Sequence, residues 1–177
     1  MPVQVASPAP KFKAHAYVRH QDQFREIALE DSKGRWLCLY FYPMDFTALC
    51  PTEVVAFEQI LEQLQQRKCD LLGCSCDSAH AHRGWCQSVP ELQKLRHPLL
   101  ADVTRRLAMD YGVLLADKGI ALRSTFLIDP GGILRWMSIY DLTVGRNTEE
   151  VLRVLDALAT GERCPCNWRK GEPTLKT

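Results

Sequence analysis

The fold is decided by an unbroken apolar run, Trp36-Leu37-Cys38-Leu39-Tyr40-Phe41-Tyr42. A short run without polar alternation is typical of a strand that is covered on both faces of its sheet. Pro43 follows the run, and the chain then enters a helical pattern that extends from Thr52 to Arg67. These residues therefore predict a central strand that leads directly into a helix.

Outward from this strand, apolar runs alternate with amphipathic helices. A second apolar run covers residues 69–76, so the order strand, helix, strand implies a parallel pair joined by a right-handed crossover. Two short strands near residues 17–18 and 24–29 predict an N-terminal β-hairpin. Residues 124–128 and 133–139 flank a turn, Asp129-Pro130-Gly131-Gly132, which predicts a second hairpin.

The remaining pattern completes an α/β domain. Further helices are predicted at residues 79–87, at residues 103–111 and from Asn147 or Thr148 to Gly161. A βαβ unit followed by a hairpin and a helix is the arrangement of a thioredoxin-like fold, with a central mixed sheet flanked by helices. We find no repeat or linker, so we predict one domain over residues 1–177, in which residues 163–177 form a C-terminal tail.

Composition argues against several classes of partner. The formal charge is +1, from 22 basic and 21 acidic residues, which gives no reason to expect nucleic acid or an anionic membrane. The longest apolar run, residues 36–44, is far shorter than the ~20 residues that a membrane helix needs. Residues 1–10 have no positive charge and three prolines, unlike a secretory signal. A soluble, cytoplasmic protein is expected.

Eight cysteines in a chain with a real core favour reduced thiols over a disulfide scaffold. Four of them lie in apolar runs, where cysteine behaves as a small buried hydrophobe: Cys38, Cys69, Cys74 and Cys76. Zinc is an alternative use for Cys74, Cys76, Cys164, Cys166, His80 and His82, but the C-x-x-C spacing of structural zinc sites is missing. We therefore predict neither a metal nor a cofactor.

Cys50 lies where the central strand meets the helix. Unpaired N–H groups and a partial positive charge at a helix N-terminus stabilise a thiolate there. A thiol of pKa about 8.5 needs roughly 3.4 kcal/mol to reach a pKa of about 6, and a helix end gives at most about 2. Thr47 and Arg123 are candidates for the missing donor and cation. Spacing alone leaves open that Thr47 is an N-cap and Arg123 a solvated charge.

Several blocks of the sequence, in order, decide between these interpretations. They are Pro43, Thr47 and Cys50 with Pro51-Thr52-Glu53, then residues 122–130, then Val144-Gly145-Arg146, then Cys164-Pro165 with Trp168. This series resembles the typical 2-Cys peroxiredoxins, in the group that contains the bacterial alkyl hydroperoxide reductase C subunit. The resemblance extends from residue 41 to residue 168.

The resemblance implies a thiol peroxidase, an oxidoreductase in which Cys50 attacks a hydroperoxide and becomes a sulfenic acid. In that family Cys164 is the resolving thiol, which forms a disulfide with Cys50 of the partner subunit. The site residues that the family pattern assigns are Pro43, Thr47 and Arg123 around the peroxide, with Glu53 and Arg146 bracing that arginine. Cys166 is an extra thiol two residues away. The sequence leaves open whether it competes with Cys164 for the resolving role, and we expect Cys164 to take it.

The implied partners are a hydroperoxide and a thioredoxin-like or flavoprotein disulfide reductase. The resemblance implies a homodimer, which in that family often assembles further into a ring of dimers such as a decamer. One rival is a thioredoxin-type dithiol oxidoreductase, but Cys50 is followed by Pro51-Thr52-Glu53 and not by a partner thiol. Another alternative is a peroxide sensor or an oligomeric holdase chaperone, a role that could coexist with peroxidase activity. A sensor would cycle poorly with a general reductant.

Overall fold

A computed structural model describes residues 3–175 of the chain. Its contacts divide the chain into two compact units, Met1–Arg146 and Asn147–Thr177, and each is described by itself. The prediction of one domain over residues 1–177 stays a prediction, and its ends, residues 1–2 and 176–177, lie outside the described residues.

The first unit contains a seven-stranded sheet and a separate two-stranded one. The large sheet consists of β1 (Lys13–Val18), β2 (Gln23–Ala28), β3 (Trp36–Phe41), β4 (Cys69–Ser75), β5 (Leu99–Ala101), β8 (Arg123–Ile128) and β9 (Leu134–Tyr140). The small sheet pairs β6 (Leu114–Leu115) with β7 (Ile120–Ala121). The strand order of the large sheet is β2-β1-β5-β4-β3-β8-β9.

Strand β3 lies inside this sheet, as the apolar run predicts. It pairs in parallel with β4 and antiparallel with β8, while β1 and β2 form the N-terminal hairpin and β8 and β9 the second hairpin. In the turn of the second hairpin, Asp129 Oδ1 accepts from the backbone N–H groups of Gly131 and Ile133, and Gly132 has a φ of +83°. The predicted mixed sheet of a thioredoxin-like fold is confirmed.

The helices of the first unit are α1 (Cys50–Gln59), α2 (Leu61–Gln66), α3 (Ala79–Ser88) and α4 (Arg106–Asp110). The single helix predicted from Thr52 to Arg67 is wrong in one respect, because α1 ends before Ile60 and α2 begins after it. The helix predicted at 103–111 is also too long. Asp102 accepts from the N–H groups of Leu107 and Ala108, which fixes the first turn at α4.

Alternating side chains of β3 cover both faces of the sheet. Leu37, Leu39 and Phe41 join a core cluster that includes α4 side chains. On the opposite face, the Tyr40 ring stacks on Phe57 of α1 with their centroids 4.0 Å apart. Helices therefore flank the sheet on both faces, and the strand that leads to Cys50 is buried from Leu37 to Phe41.

The second unit contains α5 (Thr148–Ala159) and an ordered tail. Asn147 Oδ1 accepts from the N–H of Glu149, so Asn147 is the N-cap, one of the two residues expected. In the tail, the N–H of Leu175 donates to the carbonyl of Arg163 at 2.8 Å, and the buried Trp168 donates its Nε1–H to Glu172.

Candidate active site

Cys50 is the first residue of α1 and has no exposed surface. Residues 42–49, which we call the pre-helix segment, join the end of β3 to this helix. Pro51 occupies the first turn, where a residue without an N–H costs no hydrogen bond. The first turn of α1 therefore brings its partial positive charge close to the sulfur.

Arg123 contacts the sulfur of Cys50 directly, with Nη1 3.5 Å from Sγ. Arg123 begins β8, and β8 runs antiparallel to β3 with Phe41 opposite Ser124, so the start of β8 lies beside the end of β3. Its Nε–H donates to the carbonyl of Leu142 at 2.8 Å. Sheet register thus brings together two residues that are 73 positions apart.

Glu53 lies one turn after Cys50 on α1 and is buried. Its Oε2 accepts from Arg123 Nη1 at 2.5 Å, and its Oε1 accepts from the Arg146 Nε at 2.8 Å and from the Arg146 backbone N at 3.1 Å. One carboxylate therefore orients both guanidinium groups, and three hydrogen bonds offset the cost of burying its charge.

Arg146 connects this cluster to the sheet. Its Nη1 lies 2.7 Å from the carbonyl oxygens of Phe41 and of Ser124, at the ends of β3 and β8 that meet at the site. Its guanidinium is also 5.3 Å from the ring centroids of Tyr40 and Phe57, within the range of a cation–π interaction.

The surroundings of Arg123 favour its charged form. Burial alone would lower the pKa of Arg123, but the Cys50 sulfur and the Glu53 carboxylate outweigh it and raise the pKa above its ordinary value. A guanidinium that is 5% exposed is not the solvated strand-end charge that spacing left open. The arrangement offers a fixed cation to a negative sulfur or to a bound oxygen.

Pro43 and Thr47 lie in the pre-helix segment. Pro43 is buried, and the hydroxyl of Thr47 donates to the carbonyl of Met44 at 3.0 Å. The helix begins at Cys50 itself, so Thr47 lies before its first turn. Thr47 is not the N-cap either, since Leu49 occupies that position without a side-chain cap.

Two cysteines belong to the second unit. Cys164 is half-buried, and its Sγ lies 3.7 Å from the carbonyl of Ala157 and 3.6 Å from the Thr160 hydroxyl. Cys166 is exposed, in a turn that the N–H of Trp168 closes on the carbonyl of Pro165. All eight cysteines of the chain are free thiols.

Sequence reasoning missed a buried polar group next to the pre-helix segment. Asp45 bonds to Tyr42 and to His82, and none of these side chains is more than 3% exposed. The short spacing between Tyr42 and Asp45 beside Cys50 is a signal in the sequence, but His82 is 37 residues further on.

Within residues 3–175, no group of three or more His, Cys, Asp and Glu side chains could hold a metal ion. Over the same residues, no helix is both long and apolar enough to cross a bilayer.

The sequence of the chain is similar to those of known proteins. A profile of the AhpC/TSA family matches residues 5–137. A thioredoxin peroxidase from Echinococcus granulosus is 43% identical over 99% of this chain and 94% of its own length. Peroxiredoxin-2 of Macaca fascicularis is 45% identical over 98% of this chain and 90% of its own length.

Solved structures are similar as well. A reduced 2-Cys peroxiredoxin from Plasmodium vivax superposes with a TM-score of 0.94 at 37% identity, covering 99% of this chain and 94% of the other. AhpC of Mycobacterium tuberculosis gives a TM-score of 0.85 at 36% identity, covering 96% of this chain and 100% of the other.

Proposed function

Because the chain belongs to the AhpC/TSA family and is a thiol-dependent peroxidase, we propose that Cys50 is the thiol that attacks the hydroperoxide. The observation that carries this assignment is the 3.5 Å contact between Arg123 Nη1 and Cys50 Sγ. A cation held by a buried carboxylate favours the thiolate, which is the reactive form. Cys50 thus combines a helix N-terminus with the fixed charge that the helix alone does not supply.

In the proposed step the thiolate attacks one peroxide oxygen, an S–O bond forms and the O–O bond breaks. The sulfur supplies two electrons and becomes a sulfenic acid, and the departing oxygen leaves as water or as an alcohol once it has taken a proton. Arg123 stabilises the negative charge that moves from sulfur to oxygen. Pro43 and Thr47 are proposed to bound the peroxide, while Glu53 and Arg146 hold the guanidinium.

The second step is proposed to use Cys164, as in the family. Its thiol condenses with the sulfenic acid of Cys50 to give a disulfide and water, and a thioredoxin-like or flavoprotein dithiol then reduces that disulfide. A disulfide brings the two Cα atoms to within about 7 Å, so a second cysteine must bring its own backbone up to the buried Cys50. We propose that the start of α1 opens to admit it. The disulfide step therefore includes a local rearrangement around Cys50.

We propose that the chain has the domain organisation and the subunit assembly of other 2-Cys peroxiredoxins. The chain would act as a single domain whose tail, residues 163–177, carries Cys164. It would form a homodimer with the disulfide between subunits, and the dimers would assemble into rings. Eight cysteines in a chain with a real core favour reduced thiols, so we propose a reducing compartment such as the cytoplasm.

Stopped-flow oxidation by hydrogen peroxide tests the assignment in three variants. Cys50→Ser should abolish the fast reaction. Cys164→Ser should keep it but lose the disulfide, and Cys166→Ser is the matched control that should keep both. Fast oxidation in Cys50→Ser would overturn the role of Cys50. A disulfide that persists in Cys164→Ser and disappears in Cys166→Ser would move the resolving role to Cys166.

A further inference from the structure

Asp45 lies in the pre-helix segment, five residues before Cys50, and points inward. Its side chain is 1% exposed, whereas the neighbouring Met44 and Phe46 are 41% and 63% exposed. Phe46 also has a φ of +57°, a left-handed conformation that costs an aromatic residue free energy. The segment therefore needs a fixed point to stay in this conformation, and Asp45 is suited to provide it.

Asp45 makes three hydrogen bonds, one within the pre-helix segment and two to residues outside it. Tyr42 donates its hydroxyl to Oδ1 at 2.8 Å, His82 Nδ1 lies 2.8 Å from Oδ2, and the Asp45 backbone N–H donates to Asp77 at 2.9 Å. His82 belongs to α3, and its Nε2 lies 3.0 Å from the carbonyl of Leu100 in β5. Asp45 thus connects the pre-helix segment to α3 and, through His82, to β5.

The pairing with His82 keeps its hydrogen bonds in either protonation arrangement. The Leu100 carbonyl can only accept, so His82 Nε2 carries a proton. The remaining proton lies between Nδ1 and Asp45 Oδ2, and the pair is neutral overall whichever atom holds it. Burial raises the pKa of Asp45, and the bond to His82 opposes that shift. The pair is therefore a hydrogen-bonded connection that does not depend on a net buried charge.

We propose that His82, acting through Asp45, is a positioning residue that holds the pre-helix segment closed and so keeps Cys50 beside Arg123. Neither residue touches the reacting atoms. The inference rests on the proposed function in one respect, because disulfide formation requires Cys50 to leave its buried position. Weakening the Asp45–His82 pair should then raise the fraction of molecules in which the pre-helix segment is open, and so speed the disulfide step. A rate that rises on removal of a buried bond is not what general damage to the fold produces.

Two substitutions of His82 separate its two hydrogen bonds. In His82→Asn the amide nitrogen can take the place of Nδ1 and still donate to Asp45. In His82→Gln it takes the place of Nε2, donates to Leu100 and leaves Asp45 Oδ2 without its partner. The disulfide step after a peroxide pulse should be roughly tenfold faster in the Gln variant, as expected for one lost buried hydrogen bond, and closer to wild type in the Asn variant.

A second pair of variants changes Asp45 itself. Asp45→Asn can accept from Tyr42 and donate to His82 Nδ1, so its disulfide step should match wild type. Asp45→Ala loses both bonds, and its disulfide step should be at least as fast as in His82→Gln. Tyr42→Phe should show a smaller acceleration. Its matched control is Tyr111→Phe, which removes a buried hydroxyl bond to the Pro10 carbonyl away from the segment and should change nothing.

Hydrogen–deuterium exchange of the reduced protein gives a readout that does not depend on catalysis. Amides of residues 44–52 should exchange faster in His82→Gln and Asp45→Ala, while the β8 amides keep their protection. If the wild type reacted slowly with peroxide, the proposed function would fail and this exchange result would still decide the positioning role. Unchanged exchange in both variants, or equal changes in Tyr111→Phe, would overturn the inference.

Discussion

Cys38 and Cys50 are both completely buried and only twelve residues apart, yet their surroundings differ. Cys38 lies in β3 among core side chains, where burial raises the pKa of its thiol to about 12. Cys50 lies at the end of a helix with a guanidinium 3.5 Å from its sulfur. The difference teaches that burial by itself makes a thiol inert. Burial against a fixed cation instead strengthens the attraction between thiolate and cation, which makes a thiol reactive.

The largest effect is expected when the environment of Cys50 is made to resemble that of Cys38. Arg123→Met keeps a long side chain but removes the charge, so oxidation by hydrogen peroxide should slow by roughly 10²–10³-fold. Arg135→Met, which removes a surface arginine paired with Asp129, is the control and should leave the rate unchanged. Stopped-flow kinetics give the oxidation rate constants of both variants. An unchanged rate in Arg123→Met would show that the cation does not distinguish the two thiols.

A smaller loss is expected when the cation stays but its support is removed. In Glu53→Gln, the amide oxygen can still accept from Arg146, but the amide nitrogen faces Arg123. Both of these groups are donors, so the Arg123 guanidinium should shift away from the Cys50 sulfur. Oxidation should slow by about tenfold, the equivalent of one charged hydrogen bond.

The free energy of unfolding of the same variant, measured in a urea titration, should fall by about 3–5 kcal/mol, because two buried cations lose their shared carboxylate. Glu150→Gln is the matched control, since it breaks a partly exposed pair with Arg153. Glu150→Gln should lower the free energy of unfolding by about 1 kcal/mol or less and leave the oxidation rate unchanged. Equal losses of stability in the two variants would contradict the role of Glu53.

The smallest effect concerns Cys38 and appears only in alkali. Its pKa is about 12 in the folded chain and about 8.5 when unfolded, so between these values the unfolded state loses a proton that the folded state keeps. The free energy of unfolding therefore falls as pH rises above about 8.5. Cys38→Ala should make this fall shallower by roughly 1.4 kcal/mol per pH unit, measured in urea at several pH values.

Two observations check that interpretation. The peroxide rate of Cys38→Ala should equal that of wild type, because the residue takes no part in the site. Cys166→Ala, which removes an exposed thiol, should leave the alkaline slope unchanged. A parallel change of slope in both variants would mean that burial of Cys38 is not the cause.

Local patterns in the sequence were enough to predict most of the fold. The apolar run of β3, the periodicity of residues 52–67 and the turn at 129–132 each depend on neighbouring residues. The errors arise where a distant or backbone group decides. The break at Ile60 and the late start of α4, set by Asp102, are not written in the periodicity of those helices.

The site was predictable in part, because Cys50 and Glu53 lie on one helical turn while their partners do not. Arg123 and Arg146 were assigned by resemblance to a family, since their contacts depend on sheet register and on a loop 93 residues from Glu53. Nothing local distinguished His82 from an ordinary helical histidine. Its role in the structure becomes visible only when α3 is packed beside the pre-helix segment.

The contacts of Arg146 span the chain, and this has a consequence for biosynthesis. Phe41 and Arg146 are separated by 105 residues, so the bond between them cannot form until most of the first unit has been made and its sheet has closed. A nascent chain that ends before β8 contains Cys50 but lacks Arg123. Under the proposed assignment, rapid reaction with peroxide is therefore acquired late in folding, once β8 has joined the sheet.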